Sequence, residues 1–258
     1  MTRFDVISLM PEMLSALASG VVGQAIDEGR VEVHAWDLRR HGMGFHRCVD
    51  DRPFGGGPGM VLQYPPLAAA VREVEAVVDC DERPWWVVLS PQGARLDHAV
   101  VQRLSRLPRI GLVCGRYEGI DERFVEAFAD EELSIGDFVL SGGELAAMVL
   151  IDACARLQPG VLGHEESASQ DSFVRGLLDH PQYTRPVKVD GLPVPAVLRS
   201  GDHAAIARWR HQEALCRTLE RRPDLMAGIE LSDADARLLD EVRKERRSGA
   251  ALHASRQE

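Results

Sequence analysis

SIGDFVLSGGE, residues Ser134 to Glu144, is one of three short stretches of this chain that are dense in glycine. It lies at a predicted strand-to-helix junction and also contains small polar residues. Two earlier stretches, SPQG from Ser90 to Gly93 and GRYEG from Gly115 to Gly119, have the same character at predicted strand-to-helix junctions. One such loop is commonly a tight turn. Three of them predict a single pocket, because ligands of open α/β sheets bind where the strands end.

The sequence around these loops alternates between strand and helix patterns, which predicts an α/β fold with a largely parallel sheet. A further helix with a wide apolar face is predicted after Gly142 and Gly143, and Pro159 stops it. The predicted strands are at about Phe4 to Leu9, Val31 to Trp36, Trp85 to Leu89 and Ile110 to Cys114, and the predicted helices are near Pro66 to Val78, Leu96 to Leu104 and Asp121 to Phe128.

The domain organisation follows from a change of composition after Gly163. The sequence there becomes rich in Ser, Gln and acidic residues with little periodicity, which is typical of a flexible linker. Helical patterns return at about Asp202 to Glu220 and Ser232 to Arg247. The predicted division is residues 1–162 for the α/β domain, 163–179 for the flexible linker, 180–247 for a small, mainly helical domain and 248–258 for a disordered tail.

The charge of the chain limits how it can bind nucleic acid. Its 258 residues are 45% hydrophobic and 27% charged, an ordinary globular composition, and carry a formal net charge of −10. Proteins that coat nucleic acid are usually strongly basic, so RNA contact has to come from a local patch, and DNA binding is not expected. The segment Arg199 to Arg222 is such a patch, with six arginines, three acidic residues and Trp209. On charge alone, a solvated helix face fits this segment equally well.

Several classes of protein are excluded by missing patterns. The chain has neither a signal peptide nor an apolar run of about eighteen residues, so a cytoplasmic protein without membrane contact is expected. The five cysteines lie far apart, which is typical of reduced, packed thiols. His41, His46 and Cys48 fit no standard zinc spacing, and RNA contact or loop chemistry is the preferred interpretation. Because G-x-G-x-x-G and P-loop motifs are missing, an NAD-type oxidoreductase or an ATP site is not expected.

Another glycine-rich stretch, DDRPFGGGPGM from Asp50 to Met60, is too long for a simple turn. Charged residues precede its glycines and an apolar residue follows them. A flexible spacer and a lid that wraps substrate explain this composition equally well. Its composition does not decide between a spacer and a lid.

Together these stretches resemble the bacterial tRNA (guanine-N1-)-methyltransferase family, usually called TrmD, from about Arg3 to Arg247. The resemblance favours this family over a related methyltransferase that acts on ribosomal RNA. It also favours an enzyme over an RNA-binding protein that has lost its chemistry. The family-like stretches are DDRPFGGGPGM (Asp50 to Met60), LSPQG (Leu89 to Gly93), CGRYEGIDER (Cys114 to Arg123), SIGDFVLSGGE (Ser134 to Glu144), RLQPGVLG (Arg156 to Gly163), DSF (Asp171 to Phe173), YTRP (Tyr183 to Pro186) and RRPDL (Arg221 to Leu225).

The resemblance implies a SPOUT-type fold, in which a knotted methyltransferase domain with a deep trefoil knot and a largely parallel sheet precedes a small helical tRNA-binding domain. Sequence patterns alone do not predict a knot, because knotted folds are rare. The family is homodimeric, with active sites at the subunit interface. Its members methylate N1 of guanosine-37 in tRNA, next to the anticodon, with S-adenosylmethionine as methyl donor and Mg²⁺ as a further cofactor, and this supports maintenance of the reading frame.

The resemblance assigns cofactor binding to the three loops described first. Glycine there lets backbone groups approach an adenine edge and ribose closely. Phe138 departs from the family, in which tyrosine is common, so a hydroxyl contact is missing at that position. Glu118 is also the candidate Mg²⁺ ligand, although one carboxylate makes a thin magnesium site. The implied cofactor-binding residues are Pro91, Gly93, Gly115, Tyr117, Glu118, Ile135, Gly136, Phe138, Leu140, Gly142 and Gly143.

Two residues carry the implied chemistry. Methylation of guanine at N1 requires removal of the N1 proton and stabilisation of negative charge on O6. By resemblance, Asp171 is the general base and Arg156 steadies the guanine oxygen. Without the resemblance, Asp171 is interpreted as a solvated or capping loop residue, and Arg156 as a charge at the C-terminus of a helix. An exposed aspartate is a weak base, so closure of the site has to desolvate it.

RNA binding is implied in two places, the glycine-rich loop and the C-terminal region. In the C-terminal region, arginine contacts to phosphate and stacking by Trp209 suit a splayed anticodon loop. Such contacts offset the cost of unstacking the guanine, about a few kcal/mol. The implied RNA-binding residues are Gly55, Gly56, Gly57, Gly59, Arg199, Ser200, His203, Arg208 and Trp209.

Overall fold

The computed structural model describes residues 1–77, 83–163 and 171–240 of the chain. The chain divides into two compact units, Met1–Glu165 and Glu166–Glu258. Parts of the sequence predictions lie outside the described residues. These parts are Val78 at the end of a predicted helix, residues 164–170 of the predicted linker, residues 241–247 of the predicted second domain and the predicted tail 248–258.

The first unit is built on a five-stranded sheet. Its strands are β1 (Thr2–Ser8), β2 (Val31–Asp37), β5 (Trp85–Arg95), β6 (Arg109–Cys114) and β7 (Glu131–Ser134), whereas β3 (Asp50–Asp51) and β4 (Val61–Leu62) form a separate antiparallel pair. The order in the large sheet is β2-β1-β6-β5-β7, and every neighbouring pair is parallel. This confirms the predicted α/β fold with a largely parallel sheet. β6 is buried along its whole length, as expected for a central parallel strand.

Helices cover both faces of the sheet. They are α1 (Gly20–Asp27), α2 (Tyr64–Val77), α3 (His98–Leu104), α4 (Glu122–Phe128) and α5 (Glu144–Ala155), with 3-10 helices at Pro11–Ala18 and Leu38–His41. Alternate strand residues enter different cores because side chains point to opposite faces. Phe4 and Val6 of β1 pack in the core that contains α5, and Ile7 packs in the core that contains α2.

β5 differs from the predicted strand. It does not end at Leu89 but continues to Arg95, so the stretch from Ser90 to Gly93 lies inside a strand and is not a strand-to-helix junction. The pairing of β5 with β7 changes register between Leu89 and Ala94. Such an irregularity bends a strand and redirects its backbone without ending it. The sequence prediction was wrong here because proline and glycine were interpreted as a strand end.

β7 has no counterpart among the predicted strands. Glu131 and Glu132 interrupt the apolar pattern of this short edge strand, so periodicity does not reveal it. β7 lies very close to β5 at the bend. A Cβ on Gly93 would be 2.5 Å from the carbonyl carbon of Glu132, so only glycine permits this approach. Gly93 therefore has a packing role.

A buried ion pair joins the first strand to the middle of the sheet. Asp5 is fully buried and lies 2.9 Å from Arg109, which is 4% exposed. Arg3 and the indole of Trp36 also donate hydrogen bonds to the Asp5 carboxylate. Burial alone would raise the pKa of Asp5, but hydrogen bonds from Arg3, Arg109 and Trp36 outweigh it and hold that pKa below its ordinary value. The charge is tolerated because its partners are in place.

The second unit contains a long helix, α6 (His203–Arg221), followed by the short α7 (Pro223–Met226), and residues 233–240 are helical. Asp202 caps α6 by accepting two backbone N–H groups at 3.0 Å. The unit also has a small hairpin of β8 (Lys188–Val189) and β9 (Leu192–Pro193). Its core is formed by Leu215, Cys216, Leu238 and Leu239. Among the described helices of both units, none has the length and apolarity that a membrane crossing requires.

Candidate functional site

The three segments singled out in the sequence, two loops and the bent part of β5, line one cavity of about 330 Å³. It lies beyond the ends of β6 and β7 and beside the bend in β5. Of the residues expected to bind the cofactor, the structure places all but Gly93 on its wall. Those on the wall are Pro91, Gly115, Tyr117, Glu118, Ile135, Gly136, Phe138, Leu140, Gly142 and Gly143.

The loop after β7 is held tightly against the loop after β6. The backbone N–H of Gly143 donates to the carbonyl of Gly115 at 2.9 Å, and Arg116 and Gly142 form an isolated bridge. A Cβ on Gly143 would lie 2.8 Å from the Cα of Cys114. The two loops can approach this closely only because glycine occupies the contact. At this contact the cavity wall is therefore made of main chain.

A buried polar network lies behind these loops. Glu144, the first residue of α5, accepts a 2.7 Å hydrogen bond from the Ser8 hydroxyl of β1. Its second oxygen lies 3.1 Å from Nη2 of Arg116 in an ion pair, although no described donor is aligned for a hydrogen bond to that oxygen. No role for Ser8, Arg116 or Glu144 was predicted from the sequence. The feature of the sequence that could have indicated this network is Glu144, which directly follows two glycines at the start of a predicted helix.

Among the charged side chains around the cavity, the acidic ones predominate. Glu118, Glu122 and Glu132 line it, with Arg116 as the basic residue. Burial raises the pKa of Glu132 and the nearby charge of Glu122 adds to the increase, while a hydrogen bond from Ser90 opposes it. Sequence reasoning missed Glu122 and Glu132, because neither lies in a glycine-rich loop. A cavity of this charge suits a cationic ligand.

The buried thiols of Cys114 and Cys154 in the first unit are not nucleophiles. Burial, with a further contribution from Glu144, raises the pKa of Cys114 well above its ordinary value. Burial likewise raises the pKa of Cys154 to about 12. Both side chains are therefore protonated thiols at neutral pH, and the thiolate is the reactive form. They act as packing residues of the core.

The described side chains do not form a magnesium site. Among residues 1–77, 83–163 and 171–240, no three His, Cys, Asp or Glu side chains group in a way that could hold a metal ion. Glu118 is the carboxylate for which the role was expected, and Mg²⁺ prefers octahedral oxygen ligands. His41 pairs with Glu73 at 2.7 Å. The donor groups of the described residues therefore do not fit the expected ion.

The glycine-rich loop is anchored to the cavity at its end. A Cβ on Gly59 would lie 2.2 Å from a carboxylate oxygen of Glu118, and the N–H of Glu118 donates to the carbonyl of Met60 at 2.9 Å. The loop residues Gly55, Gly56, Gly57 and Gly59 all have positive φ. Phe54 is fully exposed beside them. One end of this loop is therefore fixed at the cavity, which a plain spacer does not require.

The two expected catalytic residues belong to different units. Arg156 is the C-cap of α5 in the first unit. Asp171 begins a turn of the second unit in which its carbonyl accepts the N–H of Val174. Further along, the N–H of Leu178 donates to the buried hydroxyl of Thr218 on α6 at 2.9 Å. The segment after Asp171 is therefore fixed to the long helix.

The expected RNA-binding residues of the second unit lie at the start of α6. Arg199 ends a short 3-10 helix (Ala196–Arg199), and the Ser200 hydroxyl accepts the N–H of Asp202. His203 is the first residue of α6, and Arg208 and Trp209 follow on the same helix. The sequence places these side chains on one helix and the turn before it.

Comparison with known proteins gives one consistent result. The family model for tRNA (Guanine-1)-methyltransferase TrmD matches residues 2–228. A tRNA (guanine-N(1)-)-methyltransferase from Halorhodospira halophila is 57% identical over 250 residues, which cover 96% of this chain and 94% of the relative. Relatives with the same name from Stenotrophomonas maltophilia and Coxiella burnetii are 54% and 53% identical, over 96% and 93% of this chain and 99% and 97% of their own lengths.

Proposed function

This chain belongs to the tRNA (guanine-1)-methyltransferase TrmD family, and we propose that it transfers the methyl group of S-adenosylmethionine to N1 of guanosine-37 in tRNA, next to the anticodon. The proposal is supported above all by the single cavity that the loops after β6 and β7 and the bent part of β5 line together. A methyl group at this position supports maintenance of the reading frame.

The cavity fits S-adenosylmethionine, which supplies an electrophilic methyl group on a positively charged sulfur when bound. A volume of about 330 Å³ is within the range of small-molecule sites. Gly115 on the cavity wall has no side chain, so an adenine or a ribose can approach its main chain closely. The carboxylates of Glu118, Glu122 and Glu132 favour a cation.

We assign the acid–base chemistry to residues of both units. Asp171 accepts the N1 proton of guanine as general base, and the guanidinium of Arg156 stabilises the negative charge that develops on O6. Proton removal makes N1 a nucleophile, and the arginine lowers the cost of that charge. The proposal rests on the match of both residues to the family-like stretches RLQPGVLG and DSF.

We further propose that the segment between β7 and α5 is threaded through the trefoil knot of the family. Two contacts support it. At its end the segment bonds to the loop after β6 through Gly143 and Gly115, and directly before it the carbonyl of Ser134, the last residue of β7, accepts the N–H of Leu96, which follows β5. A segment held from both sides in this way suits a chain that passes through a loop.

A homodimer with active sites at the subunit interface is also proposed. Support comes from apolar surface in the first unit that a monomer leaves in water. Leu145 and Val149, one turn apart on α5, are 45% and 48% exposed, and Val139 on the cavity wall is 83% exposed. A second copy that covers this surface would also border the cavity.

For tRNA contact we propose the glycine-rich loop, Gly55 to Gly59, together with the start of α6. The first is anchored at the cavity, and the second carries the basic and aromatic residues Arg208 and Trp209. Because tRNA is the substrate, the proposed place of action is the cytoplasm.

The test is a methylation assay with purified protein, S-adenosylmethionine, Mg²⁺ and a tRNA transcript that carries guanine directly 3′ of the anticodon. Nuclease digestion and mass spectrometry then locate the methyl group. We expect it on N1 of guanosine-37, and a transcript with adenosine at that position is the control. Methylation of ribosomal RNA in place of tRNA would instead indicate a related SPOUT methyltransferase.

A further inference from the structure

The second unit contains a cavity of about 630 Å³ that the expected RNA-binding residues do not account for. It is formed by residues 180–185, by the short 3-10 helix that ends at Arg199 and by the first half of α6. Of the residues for which RNA binding was expected, Arg199 alone lies on its wall. The cavity therefore calls for an explanation of its own.

The wall of this cavity carries positive charge without a balancing carboxylate. Arg185, Arg199 and Arg210 line it, and no Asp or Glu does. Within the part of the chain that the structure describes, none of these three guanidinium groups has a hydrogen-bond or ion-pair partner. The chain as a whole has a formal net charge of −10. Three uncompensated arginines at one cavity therefore indicate an anionic ligand.

A group of aromatic rings borders the same cavity. Tyr183 and His180 line it, and both rings pack against Trp209 with centroids 6.3 Å and 6.4 Å away. Tyr183 is 50% exposed, so a face of its ring is available to a ligand. The packing with Trp209 holds the ring in place, which reduces the entropy lost on stacking. The site thus offers a flat apolar surface beside the arginines.

We propose that this cavity binds a nucleotide of single-stranded RNA, with its phosphates on Arg185, Arg199 and Arg210 and its base stacked on Tyr183. Stacking on an aromatic ring beside a basic groove is how single-stranded RNA is commonly held. The volume accommodates a nucleotide with room for its neighbours. The proposal rests on the proposed function, which makes tRNA the substrate, and it assigns a tRNA nucleotide other than the methylated guanine to this cavity.

The charge of the two cavities separates their ligands. The cavity in the first unit is lined by Glu118, Glu122 and Glu132, whereas that in the second unit has arginines and no carboxylate. A cationic cofactor suits the first and a phosphodiester suits the second. An acidic small molecule would satisfy the arginines but would not need the exposed ring of Tyr183. The combination of charge and ring favours RNA.

The test measures tRNA affinity for the full-length protein as a function of salt. Arg185→Ala and Arg210→Ala are expected to weaken binding about three- to tenfold each, and each should lower the slope of log K against log salt by about 0.7, the value for one phosphate of a single strand. Arg237→Ala is the matched control, because Arg237 is exposed on the helical segment 233–240, away from the cavity wall. It should bind tRNA like the wild type.

Stacking is tested separately from charge. Tyr183→Ala should weaken tRNA binding by about tenfold with an unchanged salt slope, whereas Tyr183→Phe should keep wild-type affinity because the ring remains. Circular dichroism of each variant checks that the second unit is folded. Wild-type affinity and slope in both arginine variants, with both folded, would overturn the proposal.

Two further measurements separate this inference from its alternatives. Calorimetric titration with adenosine monophosphate or inorganic phosphate tests for a small-ligand site. Tight binding of either that Arg210→Ala abolishes, with unchanged tRNA affinity, would replace RNA by a free phosphate compound. If the wild-type protein fails to methylate tRNA but its RNA affinity still depends on Arg185 and Arg210, the proposed function fails and the cavity assignment stands.

Discussion

Ser8 and Glu144 lie 136 residues apart in the sequence and are joined by a buried hydrogen bond of 2.7 Å from the serine hydroxyl to the carboxylate. The same carboxylate pairs with Arg116, which belongs to the loop after β6. The first strand, the second glycine-bearing loop and the start of α5 therefore meet at one buried charge. The geometry of the cavity wall depends on this meeting.

Glu144→Gln is expected to lower the free energy of unfolding by about 1–3 kcal/mol, because Arg116 loses its ion-pair partner and a buried amide gains no acceptor. Affinity for S-adenosylmethionine should fall with it, since Arg116 fixes the loop that contains Gly115 and Tyr117. Thermal unfolding and calorimetric titration measure the two effects. Glu126→Gln, on an exposed position of α4, is the control. Unchanged stability and affinity in Glu144→Gln would show that the network is dispensable.

Asp5→Asn tests the buried ion pair of the sheet. Because partners hold the pKa of Asp5 below its ordinary value, its contribution to stability is present above about pH 4 and is lost as the pH falls through the lowered pKa. The variant should be less stable at pH 7 by about 3–5 kcal/mol, since Arg109 stays buried without its partner. Its stability should also fall less steeply in acid. Melting temperatures from pH 3 to 7, with exposed Asp27→Asn for comparison, give both quantities.

Glu132→Gln tests whether the cavity recognises the positive charge of the cofactor in addition to its shape. We expect binding of cationic S-adenosylmethionine to weaken about three- to tenfold, and binding of neutral S-adenosylhomocysteine to change little. The raised pKa of Glu132 means that its ionised form is disfavoured in the folded chain, so the unliganded variant should be slightly more stable at neutral pH. Calorimetric titration with both compounds and a thermal shift measure these changes. An equal loss for both compounds would contradict an electrostatic role.

Asp171→Ala is expected to reduce methyl transfer on the order of 10²-fold or more, because a positioned base is lost, while cofactor affinity stays close to that of the wild type. Single-turnover rates with saturating tRNA measure the chemical step directly. Asp233→Ala removes an exposed carboxylate from the same unit and serves as control. A rate near that of the wild type in Asp171→Ala would remove it from the mechanism.

Thr218→Val tests how the segment after Asp171 is held. Thr218 is fully buried, and its hydroxyl accepts the N–H of Leu178 while it donates to the carbonyl of Ala214. Loss of the hydroxyl should slow the chemical step about five- to tenfold by misplacing the base, with little change in the Kd of tRNA or cofactor. Thr218→Ser restores the hydroxyl and should restore the rate. A defect in tRNA affinity alone would indicate a purely structural role.

The central part of the fold follows from the sequence, because buried parallel strands and amphipathic helices have strong periodic signals. β6 and α5 are of this kind. The segments that form the cavity wall were recognised by their glycine density, and the resemblance supplied the individual residues. Glycine density succeeded at Gly143, where close contact with the backbone of Cys114 and Gly115 excludes a side chain. The same signal was misleading at Gly93. There the glycine serves contact between two strands and leaves the strand unbroken.

Contacts between residues that lie far apart in the sequence could not be predicted. Glu132 lies on β7, a strand without an apolar pattern because it contains charged residues. The proximity of Glu122 to the cavity depends on the turn between β6 and α4. The pairing of Ser8 with Glu144 has no local pattern, since β1 and α5 are brought together by the topology of the sheet. Likewise, the arginine cavity combines residues from three segments of the second unit. Local propensity contains no information on such contacts.

The contact between Gly143 and the backbone of Cys114 and Gly115 has a bearing on inhibitor design. Where a pocket is walled by main chain, amino-acid replacements can alter its shape only by disturbing the packing that creates it. A compound that forms its hydrogen bonds with those peptide groups does not depend on side chains. Few single substitutions would then weaken binding of the compound without also damaging the enzyme. Resistance by point mutation at this wall should therefore be slow to arise.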